Sequence, residues 1–455
     1  MVMGKRETEQ QQDLFITQDR LPRSPGHVFY DKLNGLLREA GFDAHVESLC
    51  EPYYAQKGRP SVPPGIYFRM LLVGYFEGIN SQRGIAWRCS DSLSLRKFLG
   101  LPWDEESPDH SSLSYIRNRL PLEVHRQVFV WILGLAQKKK LLPGKKTAVD
   151  STTLEANAAM KSIVRRDTDE DWNEYITRLM REEGVLEQDQ EPTAEELRRF
   201  DKSRKNKQVS NEEWVSETDP DSRISRMKDG TTHLAYKAEH VVDLESEIIM
   251  AAEVYYATQS DKTTLEDSLH MAQMQQQEAG SPAVIAEVAA DKGYHATEQL
   301  KNLHEHTPYR TYIPEPQLKH RRVWRNKPPE EREAVTANRR RMRGAYGKRL
   351  QRLRSEKVER SFAHVCETGG ARRTWLTGIE KVRKRYLLSA AAHNLSVLMR
   401  KLFHMGTPRG LQQFRTDLER VLSSFYLLWL AIIQPGNLSF ALNDSPCRAP
   451  RQSCE

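Results

Sequence analysis

Two short apolar, β-branched runs, each closing on an aspartate, constrain this chain more than anything else in it: residues 145–150 (KKTAVD) and residues 283–291 (AVIAEVAAD). A run of this kind reads as a strand. A carboxylate at its end belongs at the rim of a sheet, because an unpaired charge in the core is costly. Further strand-like pieces stand at 233–242, 247–255 and 309–313, and helical spacing marks 263–277 and 296–304. The order is strand, insertion, strand, strand, helix, strand, helix, strand, then a long basic helix. This pattern predicts an α/β fold: a mixed sheet with helices packed against it.

The rest of the chain divides around that pattern. Residues 1–24 form a polar, Gln-rich leader expected to be disordered, and residues 25–140 read as an all-α domain. Apolar spacing predicts helices over 27–40, 66–80, 90–99 and 111–120, with residues 58–64 (GRPSVPP) ending one helix and starting the next. Residues 141–405 hold the sheet pattern, with a charge-rich helical and flexible insertion at 160–230. Residues 406–455 make a C-terminal helix and tail. The most apolar window, 421–433, is shorter than the roughly 20 residues needed to span a bilayer, so a buried helix is expected there and no membrane partner. The N-terminus has no export pattern, and the five cysteines have neither zinc-ligand nor disulfide spacing, so a cytoplasmic, nucleoid-associated protein with free thiols is expected.

Charge is unevenly spread. Residues 317–360 contain sixteen Lys/Arg against five Asp/Glu, an excess greater than the +7 of the whole chain. Such a segment presents either a polyanion-binding face or a solvated helical one. Trp324 and Tyr346 are interleaved with it and serve either stacking on a base or packing.

Three acids carry the chemical argument: Asp150, Asp291 and Glu359, the last on a helix in SEKVERSFAHV. If the two strands are neighbours, their terminal carboxylates repel unless a cation lies between them. All-oxygen ligands suit Mg²⁺ or Mn²⁺, and two such ions activate an attacking oxygen and stabilise a leaving one in phosphoryl transfer. Taken singly, each aspartate also reads as a turn former or helix cap.

Several segments together resemble bacterial insertion-sequence DDE transposases: AVDSTTLEANA around Asp150, SETDPDSR at 216–223, HLAYKAEHVVD at 233–243, ADKGYHATEQL from Ala290, TYIPEP at 311–316 and VERSFAH at 358–364. The stretches GRPSVPP, NSQRGIAWRCSDSLSLRKFLGL and SPDHSSLSYIRNRL resemble the helical domain that precedes the catalytic core in that family. The resemblance covers residues 25–405. It implies a ribonuclease H-like catalytic domain with an all-α N-terminal domain, and a metal-binding catalytic triad of Asp150, Asp291 and Glu359 holding two Mg²⁺ or Mn²⁺ ions. It further implies double-stranded DNA as partner, at terminal inverted repeats and target sites, and a homo-oligomer assembled on the element ends. The activity expected is strand cleavage and strand transfer; the alternatives are a nuclease without strand transfer and a catalytically inactive or domesticated DNA-binding relative. The chain departs from the family in having Cys366 where a lysine often follows the glutamate, and in the register of Tyr346, Arg352 and Arg354. Glu356, one helical turn away, therefore stands as a rival to Glu359, which the VERSF match favours. Lys292, Tyr294, Arg349, Arg352 and Arg360 are candidate DNA contacts, and Lys237 is open between an edge position and a phosphate contact. His393 and Asn394 read as core.

Overall fold

The structure, a computed structural model, describes residues 26–408 apart from 103, 205–209, 227–229, 318–322 and 326. The expected disorder at 1–24 and the C-terminal helix at 421–433 fall outside the described residues.

The N-terminal region is helical, as its spacing predicts: α1 (Val28–Glu39), α2 (Phe42–Cys50), α3 (Pro64–Glu77), α4 (Gln82–Asp91), α5 (Leu93–Leu99), α6 (His110–Arg119) and α7 (Leu122–Lys138). Prolines open α3, where a missing N–H costs nothing. Asp109 caps α6 by accepting from the amides of Ser111 and Ser112.

The sheet begins with β1 (Lys146–Glu155). The insertion that follows holds β2 (Ile163–Arg165), α8 (Trp172–Glu182), α9 (Ala194–Ser203), β3 (Trp214–Ser216) and β4 (Arg223–Arg226). It is not purely helical: β2 and β3 pair with each other, and β4 joins the main sheet. Helices α8 and α9 each carry a capping box and close on a small core of their own, built from Ile176, Met180, Leu197 and Phe200. The chain continues through β5 (Thr232–Asp243), β6 (Ile249–Tyr256), α10 (Asp261–Glu278), β7 (Glu287–Ala290), α11 (Thr297–His306) and β8 (Arg310–Tyr312). It ends with α12 (Pro329–Arg343), α13 (Ala345–Phe362) and α14 (Ile379–Phe403). The basic helix expected as one piece is thus two, broken at Gly344.

Strand β5 lies inside the sheet. One side pairs antiparallel with β1, from Thr147↔Asp243 to Glu155↔Ala235. The other side takes β4 along its first residues and β6 along the remainder. On the far side of β1 come β7 and then β8, both parallel. The result is a mixed sheet flanked by helices.

Residues opposite one another in an antiparallel pair share a face. Asp150 and His240 therefore point to the α13 side, where the Ser361 hydroxyl lies 2.9 Å from His240 Nδ1. Ser151 and Glu239 point to the α10 side. One apolar core runs from Phe29 in α1 to Met399 in α14, so the helical region and the sheet are buried against each other. The Asn394 side chain accepts from the Ile249 amide and donates to its carbonyl, in keeping with the core position expected for it.

His125, fully buried in α7, shows how polar groups are kept in this core. Its Nε2 faces the Tyr67 hydroxyl at 3.2 Å and its Nδ1 faces the Pro121 carbonyl at 3.1 Å. A carbonyl only accepts, so Nδ1 carries the proton and the ring is neutral. Burial pushes its pKa down to about 4. The unfolded chain protonates this ring near pH 6.5 and the folded chain only near 4, so stability is complete above 6.5 and falls as pH drops through that window. The loss from this one residue is about 3 kcal/mol. Thermal melts of the wild type and His125→Gln from pH 7 to pH 4 should therefore converge as pH falls; equal slopes for the two would refute the assignment.

Candidate active site

The parallel pairing of β1 with β7 ends at Val149↔Ala290. The next residue in each chain segment is an aspartate: Asp291 follows the last residue of β7, whereas Asp150, expected to end its strand, lies inside β1, which runs on to Glu155 because β5 continues to pair with it. Neighbouring strands lie about 4.8 Å apart, so the two carboxylates leave the backbone side by side at the same end of the sheet. Asp291 accepts from the Lys292 amide at 2.7 Å, and Asp150 accepts from the Ser151 amide at 2.9 Å. Burial raises the Asp150 pKa; the Arg354 guanidinium opposes that rise and the Asp291 charge adds to it. Two like charges are thus held together, one of them largely removed from water, with Arg354 Nη1 bound to Asp150 Oδ2 at 2.5 Å.

Helix α13 supplies that arginine because it crosses the sheet. Gln351 donates to the carbonyls of Ala290 and Tyr312 at the ends of β7 and β8. Arg354 reaches β1, and about two turns further on Ser361 reaches β5. The two flanks of the helix then face opposite strand ends. Toward the start of β7 and the β5–β6 turn, Tyr346 bonds Glu287, and Lys357 and Arg360 pair with Glu247. On the other flank stand Lys348, Arg352, Ser355 and Glu359, whose spacing puts them in one row. Glu359 is exposed and accepts from the Ser355 hydroxyl at 2.9 Å. The rival Glu356 is bound to Arg360 at 2.6 Å, and so belongs to the flank turned toward Glu247.

Beyond Val149 the β7-side edge of β1 has no strand partner among the described residues; a single bridge joins Glu155 to Arg373, and Arg372 donates to Thr152 Oγ1 and the Thr153 carbonyl, each at 2.8 Å. A groove of about 810 Å³ opens there, lined by Ser151, Thr153, Lys237, Lys262 and Arg372 among others.

The structure sorts the remaining candidates. Lys292, Arg349 and Arg352 are exposed. Arg360 is committed to Glu247 and Glu356. Tyr294 is 1% exposed and donates to Glu239 Oε2 at 2.9 Å, which leaves no surface for DNA. Lys237 is neither on an edge nor exposed. It sits on an inner strand with Nζ at 2.8 Å from Asp261, 3.2 Å from Glu239 and 2.7 Å from Thr264. Asp261 in turn accepts from the Ser151 hydroxyl, so a buried polar cluster braces the residues that follow both aspartates. Sequence reasoning missed Glu239 and Asp261. The signal was present in the alternation of KAEH within an apolar strand.

Among the described residues, no group of three His, Cys, Asp or Glu side chains is arranged to hold a metal ion. The pair at the end of the β1–β7 pairing nevertheless fits a hard divalent cation. Both donors are carboxylate oxygens, they repel one another, and the Arg354 guanidinium offsets the charge of Asp150.

Two sequence families match the chain. Residues 17–119 match a transposase domain family (DUF772), spanning α1 to α6, which marks the protein as transposase-like. Residues 316–399 match a transposase DDE domain family, spanning α12 to α14 and including Glu359. Together they support an insertion-sequence DDE transposase. No curated protein and no solved structure matches the chain.

If Arg354 holds the place of a cation, removing it should sharpen metal binding. Arg354→Gln should melt lower than wild type without divalent ions, and Mn²⁺ should raise its melting temperature more than it raises that of wild type. An equal or smaller Mn²⁺ effect in the variant would show that the guanidinium and the ion do not compete.

Proposed function

We propose that this chain is the transposase of an insertion sequence, cutting DNA at the terminal inverted repeats and joining the freed 3′ end to target DNA. The observation that carries this reading is the pair Asp150 and Asp291 at the point where the parallel pairing of β1 and β7 stops, crossed by α13, whose Arg354 binds Asp150 and which also bears Glu359. The strand sequence supports a ribonuclease H-like core at residues 141–405: β6, β5, β1, β7 and β8 lie side by side with only β5 reversed. Residues 25–140 serve as the DNA-binding domain, and the protein acts as a homo-oligomer that brings both element ends together.

Asp150, Asp291 and Glu359 would hold two Mg²⁺ or Mn²⁺ ions, which lower the pKa of the attacking water and stabilise the departing oxygen. Water attacks the phosphorus and the bond to the 3′ oxygen breaks, leaving a 3′-hydroxyl that attacks a target phosphodiester in turn. Asp150 is desolvated, which strengthens its hold on a cation. Asp291 is fixed by the Lys292 amide. Glu359 is free to leave Ser355, whereas Glu356 is engaged with Arg360. A labelled duplex carrying the element's own end, incubated with Mg²⁺ or Mn²⁺, tests the assignment. Nicking should fall at least about a hundredfold in Asp150→Ala, Asp291→Ala and Glu359→Ala, and stay close to wild type in Glu356→Ala. Activity surviving Asp150→Ala would end the DDE reading, and DNA binding without cleavage by the wild type would make the chain an inactive relative.

DNA would lie along the basic helices. Arg340, Arg343, Lys348, Arg349 and Arg352 are exposed and have no carboxylate partner among the described residues. Affinity resting on such residues depends on released counterions. In salt titrations of DNA binding, Arg349→Ala and Arg352→Ala should each lower the slope of log K against log salt by about 1. An unchanged slope would place the DNA elsewhere.

A further inference from the structure

A cavity of about 500 Å³ opens where the N-terminal helices meet α14 and residues 369–376. Its size lies within the roughly 300–1,000 Å³ usual for small-molecule sites. Tyr67, Leu71, Ile79, Ile85 and Leu388 give it an apolar wall. Arg83, Arg117, Lys384 and Arg385 also line it, and among the described residues no Asp or Glu does.

That charge distribution is unusual for a partly enclosed space, because a buried cation ordinarily has a carboxylate beside it. Lys384 has one outside the cavity, Glu380 at 2.7 Å, and also donates to the Arg117 carbonyl. The two arginines are less well served. Among the described residues, Arg385 donates only to the carbonyls of Gly370 and Arg373, at 2.9 and 3.3 Å. Arg117 Nε is buried and has no acceptor. Burial lowers the pKa of both arginines, and the charge of Arg117 adds to the lowering of Arg385, to about 10. An anion placed between them would satisfy the free donor and relieve the repulsion. The apolar wall beside them would bury a flat, uncharged moiety, and Trp375 stands at the cavity, half exposed.

We propose that this cavity binds a nucleotide unit, with its phosphate on Arg117 and Arg385 and its base against the apolar wall. The nucleotide belongs either to a DNA strand, which rests on the transposase reading, or to a free mononucleotide, which does not. The path favours the strand. Arg372, which holds Thr152 and Thr153 just beyond Asp150, lies on the same short segment as Trp375 and Leu376 at the cavity.

The test is binding by the full chain in EDTA, where nothing is cut. Deoxyadenosine monophosphate, inorganic phosphate and a short single-stranded oligodeoxynucleotide are titrated by calorimetry. The oligodeoxynucleotide should bind more tightly than the mononucleotide if the strand is the source, and less tightly if it is not. Both should bind more tightly than phosphate alone. Arg117→Gln and Arg385→Gln should each weaken binding at least tenfold. Leu71→Trp, which fills the apolar side without changing charge, should do the same, and it keeps the test alive if a buried arginine variant misfolds. Absence of binding by all three probes, phosphate binding as tight as nucleotide, or indifference to Arg117→Gln and Leu71→Trp would each overturn the proposal. Because no cleavage is read, a chain that binds nucleotide here yet never cuts an element end would retain this site and lose the transposase reading. The converse result would do the opposite.

Discussion

The repulsion between Asp150 and Asp291 is the constraint around which the sheet end is organised. Parallel pairing that stops at Val149↔Ala290 leaves the two carboxylates nowhere to go but the same rim. Moving either by one residue would turn its side chain to the other face. Helix α13 must therefore pass over this end with a cation, and its contacts fix where that cation falls. Gln351 ties the helix to β7 and β8, Ser361 ties it to β5, and Arg354 lies between them over β1.

The opposite face of the sheet does complementary work. Lys237, Glu239 and Thr264 form a buried cluster with the partly exposed Asp261, and Ser151 and Tyr294 bond to it. Each of these is a near neighbour of a catalytic candidate in sequence. The cluster also explains the glycine between them: a Cβ on Gly293 would lie 2.8 Å from the Asp261 carboxylate. Breaking such a cluster from one side would leave a buried charge without its partner, which is costly. The positions of Asp150 and Asp291 are thus held from both faces, by an ion pair on one and a hydrogen-bonded network on the other.

Much of this could be read in the sequence, and the reasons are local. β1 and β7 announce themselves because a β-branched and apolar run leads up to a carboxylate, although β1 continues past Asp150 to Glu155. The strands and helices of residues 233–313 follow in the expected order. What sequence could not give depends on pairing. Lys237 looks like a surface residue until β4 and β6 are seen to share one edge of β5, which makes it an inner strand. Tyr294 looks like a DNA contact until its hydroxyl is found on Glu239. The insertion reads as helical and flexible, without strands, because β4 is only four residues long and gains its identity from β5. Between Glu359 and Glu356, sequence favours Glu359 through the VERSF match; what it could not show is that Glu356 is paired with Arg360 while Glu359 is exposed.

The arginine at Asp150 also bears on how a metal-dependent site can exist before its metal arrives. In small metal-binding domains the ligands gather only when the ion does, and binding is then folding. Here the carboxylates are delivered by strand pairing, and Arg354 carries part of the charge that would otherwise oppose it. The core behind them extends from α1 to α14 and owes nothing to an ion. Under the proposed reading, Glu359 completes the site from α13, where it is exposed and accepts from the Ser355 hydroxyl. The two aspartates are then placed by the β1–β7 pairing, and the third acid is carried by the helix that crosses those strands.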